Sequence, residues 1–182
     1  MPLFRWIQDL TVQALVIFFI ELCALRRAPQ DLPPSEVLFG LALLADLLAG
    51  MLVGLVTGLS WWEGLGQGFA EIALMLAVLY AALNLLKLGA RFLQAATALL
   101  GSGALLGLIA LVPLSLNPVG QEATNLAAFG ALLLLGLVVW SILVTGHILR
   151  HTFGITLGQG AAIGIAFEFT TIVLVRLLFG GV

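Results

Sequence analysis

Charge is scarce in this chain: aspartate, glutamate, lysine and arginine make up 9% of its 182 residues, against 62% apolar ones. Soluble domains carry charge on about a quarter of their residues, so this sequence has too little polar surface to cover a globule in water. A single cysteine, Cys23, excludes an internal disulfide framework and leaves no companion thiol for metal or redox chemistry. No region is basic enough to suggest nucleic acid, and no long polar stretch marks a separate soluble domain. The 21 glycines do not form a phosphate loop, because the lysine, hydroxyl residue and strand context are absent.

What fills the chain instead is a series of long apolar runs with polar punctuation. The segment 28–35 holds Pro29, Pro33 and Pro34, which donate no backbone hydrogen bond and push their predecessors toward extended conformations. Ser35 then suits a helix N-cap, with Glu36 in the favourable first turn. From there the hydropathy predicts five transmembrane helices, at 37–58, 65–86, 92–114, 126–149 and 155–179. Each has roughly 20 to 25 residues, enough at 1.5 Å per residue to cross about 30 Å of hydrocarbon. Helices are preferred to strands because a helix satisfies its own backbone in lipid. Trp61 and Trp62 mark an interface, where indole meets both hydrocarbon and headgroups.

The N-terminal stretch differs. It contains Asp9 and Glu21, has no basic leader and no small-residue cleavage site, so it does not read as a cleaved signal peptide. Arg5, Asp9, Gln13 and Glu21 fall near one helical face, with Leu3, Ile7, Phe18 and Leu22 among the apolar residues opposite. The expected organisation is an amphipathic, membrane-associated helix over 1–27, lying at the interface or forming a sixth span. A proline-rich linker at 28–35 and a five-helix transmembrane domain at 36–182 follow.

Cations set the expected orientation. Arg26, Arg27, Lys87, Arg91 and Arg150 all fall in gaps on one side of the five spans, and the positive-inside rule makes that side cytoplasmic. The linker is then cytoplasmic and the C-terminus periplasmic.

Small residues supply the expected helix contacts, since lipid gives apolar side chains no reason to leave it and shape-matched approach must drive association. Gly50, Gly54 and Gly58 recur every four residues, as do Gly103 and Gly107, and Gly154 and Gly158. Gly160 and Gly164 form a further stripe. These faces are expected to pack the bundle and to contact other subunits.

Asp46, Glu71 and Glu168 lie within spans, where a lone ionised carboxylate is costly unless it is protonated, paired or wetted. Arg176 is the one cation within a span, placed to reach the far interface or to meet Glu71 or Glu63. Two roles compete for Asp46, Glu71 and Glu168. A structural network would bond the carboxylates to Asn84, Ser141, Thr145, Thr170 or Thr171; a proton or cation route would use their changeable charge. No inverted repeat or pair of broken helices adds to the transport case.

No catalytic site is expected. His147 and His151 have the four-residue spacing of metal or haem ligands, but no cysteine or acidic cluster completes a site. A polar interface capped by Arg150 accounts for them, and neither cofactor nor metal is called for.

The stretch Arg27-Ala28-Pro29-Gln30-Asp31-Leu32-Pro33, with Arg91-Phe92-Leu93-Gln94-Ala95-Ala96-Thr97-Ala98-Leu99-Leu100-Gly101 and Gly146-His147-Ile148-Leu149-Arg150-His151, resembles a family of small bacterial inner-membrane proteins. In layout, an N-terminal segment before five spans, the chain also resembles the Yip1-like membrane superfamily. That resemblance implies membrane organisation rather than catalysis and assigns no residue a role. The sequence is therefore expected to encode a non-enzymatic scaffold, assembly factor or accessory subunit of a bacterial inner-membrane complex. Lipids and other integral membrane subunits are the expected partners, and Arg26, Arg27, Gln30 and Asp31 the recognition strip. The alternative is a small ion or proton-coupled transporter.

Overall fold

Helix ends in this chain are set by local capping chemistry. In the computed structural model, which describes residues 12–116 and 124–179, the fold is all-α. Helix α1 covers Val12–Cys23, α2 Glu36–Val56, α3 Trp61–Leu85, α4 Phe92–Ser115, α5 Asn125–Phe153 and α6 Leu157–Phe179, with 3-10 turns at Pro29–Asp31 and Gly89–Arg91. Ser35 caps α2 through the Leu38 amide at 3.3 Å. Thr124 caps α5 through the Ala127 amide at 3.1 Å. Ser60 and Glu63 form a reciprocal capping box, so α3 starts at Trp61, four residues before the hydropathy pattern places it. The tryptophan pair is thus the first turn of a helix. At the other end of the bundle α5 runs on past His151 until Gly154, whose φ of 71° no β-carbon favours.

Helices α2 to α6 are long and apolar enough to cross a bilayer, and their exposed faces suit lipid. On α2 the residues Val37, Leu41, Leu44, Leu48, Leu52 and Leu55 recur at three- and four-residue steps, and all are exposed. A contiguous apolar stripe of this length is out of place in water. The carboxylates Asp46, Glu71 and Glu168 meanwhile line a partly open cavity between the spans, in which Glu71 and Glu168 are exposed. Five long apolar helices with apolar outward faces define a polytopic transmembrane helix bundle.

Helix α4 is the hub. Half of its apolar stretch is buried, against at most 22% in the other spans, because Ala95, Ala96, Ala98, Gly101 and Ala104 let neighbours come close. It packs most extensively on α2, then on α5, while α6 lies against α5 and reaches across to α3. The five spans therefore form a ring, ordered α2, α3, α6, α5, α4, around the cavity.

Small residues mediate the tightest crossings, though not always in the predicted stripes. A methyl group at Gly54 would stand 3.1 Å from the Gly64 Cα, so α2 and α3 touch backbone to backbone there. At Gly107 the neighbour is the Ala49 methyl, in ordinary contact. The closest approach joins α5 to α6, where a β-carbon on Gly160 would overlap the Gly146 carbonyl and one on Gly146 would lie 2.8 Å from the Ala161 nitrogen. Gly58 and Gly154 sit beyond helix ends with positive φ, and Gly50 and Gly158 have open space at the β-position. Replacing Gly54 with leucine is expected to lower the unfolding midpoint in detergent, at a cost of roughly 1–3 kcal/mol for overpacking. Gly158→Leu should leave it unchanged. Equal midpoints for the two variants would contradict this assignment of faces.

Helix α1 packs against α4 and α5 through Leu22, Phe18 and Phe19. The Phe19 ring fills the space that a side chain at Gly101 would need, which places α1 well inside the length of α4 rather than at its end. The outward residues of α1 are Val16, Ile17 and Ile20, all exposed. Gln13, near its start, is exposed as well. Arg5 and Asp9, on which the amphipathic expectation also rests, lie outside the described residues.

Candidate functional site

The polar groups of the described bundle gather in two places: at the end where the basic turns meet, and in the cavity between the spans. At the basic end the linker 28–35 is strapped onto the helices. His147 Nε2 lies 2.8 Å from the Arg27 carbonyl, a contact that requires the proton on that nitrogen. Gln30 donates from its side chain to the His151 carbonyl, and Gln94 donates to the Leu32 carbonyl at 2.7 Å and the Gln30 carbonyl at 3.3 Å. Arg91 completes the arrangement by donating to the Thr152 carbonyl at 2.7 Å. Deeper along the same path, the Trp140 indole donates to the Cys23 carbonyl at 3.1 Å.

These bonds bear on the predicted recognition strip. Arg26, Arg27, Gln30 and Asp31 are exposed, yet Gln30 is bonded to α5, and Asp31 accepts from the Ala28 amide at 3.0 Å within its own turn. Arg27 donates to the Glu21 carboxylate at 2.8 Å, which holds the guanidinium proton more firmly than in a free arginine. Exposed pairs of this kind contribute little stability. His147 and His151 meet edge to face with ring centres 4.6 Å apart, and the ring nitrogen of His147 that faces the linker is engaged with a carbonyl rather than open to a ligand. Truncating Gln94 to alanine removes two clamps on the linker, each worth roughly 1 kcal/mol. Amide exchange at Leu32 should then accelerate about five-fold or more by mass spectrometry in micelles; an unchanged rate would show that the strap does not depend on it.

The second place is the cavity, about 560 Å³ in volume and lined by all five spans. Asp46 enters from α2, Glu71 from α3 and Glu168 from α6. Glu71 stands on α3, the helix that packs on both α2 and α6. The Asp46 carboxylate packs on the α4 backbone at Gly103, where a β-carbon would stand 2.7 Å from its Oδ1. Gly103 therefore makes room for a carboxylate rather than for a helix. Most of the lining is apolar, with Ile72, Leu79, Leu106 and Phe167 among its walls, and the hydroxyl residues Ser102, Ser141 and Thr145 add to it.

Hydrogen bonding separates the two roles weighed for the carboxylates. The hydroxyls of Ser141 and Thr170 and the Asn84 amide each bond a carbonyl of their own helix, at 2.8, 2.8 and 2.9 Å. Ser102 does the same with the Leu99 carbonyl at 3.0 Å. Among the described residues no hydrogen bond or ion pair reaches Asp46, Glu71 or Glu168, the Arg27–Glu21 pair being the salt bridge found there. The Arg176 side chain lies outside the described residues. Thr171, a turn beyond Glu168 on α6, is 4% exposed with an unpartnered hydroxyl.

The class of protein is thus a multi-pass membrane protein with a carboxylate-lined cavity inside its span. Comparison with protein-family profiles, curated proteins and solved structures finds no match.

Proposed function

We propose that this protein is a small membrane carrier in which Asp46, Glu71 and Glu168 exchange protons for a cation. One observation carries this reading: three membrane-embedded carboxylates share a cavity and have no protein partner among the described residues. Carboxylates in hydrocarbon are costly without compensation. A structural network would have drawn on hydroxyls such as those of Ser102 and Ser141, but these donate to their own helices. Protons or cations taken up in the cavity supply it instead.

The location that fits is a bacterial inner membrane, as the resemblance of the linker motif implies. Arg26, Arg27, Lys87, Arg91 and Arg150 then mark the cytoplasmic end by the positive-inside rule, with the linker 28–35 inside and the C-terminus periplasmic. The scaffold or accessory role expected from the sequence needs free docking faces; Gly54 is occupied within the chain, while Gly158 remains open.

Vesicles containing the purified protein and an internal pH dye test the reading. With an acidic interior, adding a cation outside should drive alkalinisation faster than in protein-free vesicles. A response equal to that of empty vesicles for inorganic and organic cations alike, with the protein folded, would overturn it. Recovery of a stable membrane partner from native extracts would then favour the accessory role.

A further inference from the structure

We infer that the cavity's substrate is an organic cation with an apolar body; this rests on the carrier reading and names its substrate class. The volume of about 560 Å³ falls within the range of small-molecule pockets and far exceeds the space of a water or a bare ion. Its chemistry is that of such a pocket, an apolar wall with a few polar groups. Charge complementarity then fixes the sign. Among the described residues the lining includes the acidic Asp46, Glu71 and Glu168 and no lysine, arginine or histidine.

The spread of the carboxylates decides between organic and inorganic cations. A hard metal ion gathers six or more oxygens within about 2.6 Å. Among the described residues no three acidic, histidine or cysteine side chains converge closely enough to hold one ion, although three acidic groups line the same space. Separated charges around an apolar volume suit a diffuse cation whose body touches the walls.

Gly50 supplies a separate handle on the same space. It lines the cavity one turn from Asp46, and a β-carbon there meets nothing within 4 Å. A leucine at this position grows into the volume the cation's body would occupy without striking the backbone.

The test is equilibrium binding of labelled tetraphenylphosphonium to the purified protein in micelles, corrected by excess unlabelled probe, with proton release followed in parallel. Saturable binding is expected, accompanied by proton release and weakened in acid because protons compete for the same carboxylates. Glu71→Gln should weaken it roughly thirty-fold, and Gly50→Leu about ten-fold, with unfolding midpoints near that of the unaltered protein. Binding unchanged in both variants would place the probe elsewhere and overturn the inference, and binding unchanged in Gly50→Leu alone would refute the claim that an apolar body fills this space. Proton release by sodium or potassium without tetraphenylphosphonium binding would defeat the organic-cation assignment and leave the carrier reading standing. Proton release by none of them would sink both.

Discussion

Exchanging Glu71 for glutamine is expected to abolish most cation-driven proton movement in reconstituted vesicles while leaving the bundle folded. Glutamine has nearly the shape of glutamate, so the cavity wall from α3 keeps its packing. What it loses is the ability to carry a changing charge in the cavity lining. A charge-assisted contact to a bound cation is worth roughly 2 kcal/mol beyond a neutral one, which corresponds to about thirty-fold in rate or affinity. If the variant transports like the unaltered protein, the cavity carboxylates are not the route.

Gly160→Ala should be the most damaging small substitution in the chain. Its new methyl group would overlap the Gly146 carbonyl, and the obstacle is backbone, so no side-chain rotation relieves it. Helices α5 and α6 must move apart, which also loosens the crossing at Gly164, where a β-carbon would stand 3.1 Å from the Thr145 methyl. Thr145 and Gly164 both line the cavity, so the change reaches the candidate site as well as the fold. A cost of roughly 3 kcal/mol is expected, lowering the midpoint of thermal unfolding in micelles by about 6–12 °C. A variant as stable as the parent would show that the two helices are not in backbone contact.

The spans are legible in the sequence because crossing a bilayer is a local requirement, met by length and apolarity within one segment. The gathering of Arg91 and Arg150 with the Arg27 segment at one end follows from the same count of crossings. Helix starts are less legible where two signals overlap. Trp61 and Trp62 suggest an interfacial loop, but the Ser60–Glu63 capping box lies across them and draws both into α3. The strap at the basic end depends on Gln94 and His147 finding carbonyls about 60 and 120 positions away, which no local pattern records.

The candidate site divides in the same way. Each carboxylate can be placed within a span from the sequence alone, but their shared cavity depends on how α2, α3 and α6 are rotated about their axes. Glycine spacing misleads for a related reason. Gly146 belongs to no four-residue repeat among the predicted stripes, yet makes the closest crossing, whereas Gly58 extends its repeat past the end of α2 and Gly154 begins one before α6 has started. A small residue's role is fixed by what faces it. Gly103 illustrates this best, because its neighbour is a carboxylate and its smallness serves the cavity.

The most direct measurement is thiol modification at Gly50→Cys in a background where buried Cys23 is replaced by serine. Reagents of similar size, one cationic and one anionic, would be compared in intact vesicles, with Leu44→Cys on the lipid face as reference. The account predicts that the cationic reagent modifies position 50 much faster than the anionic one, that this preference falls in Glu71→Gln, and that position 44 stays unreactive. Equal rates for the two charges, or a position 50 as inert as position 44, would contradict a water-reachable cavity that selects for positive charge.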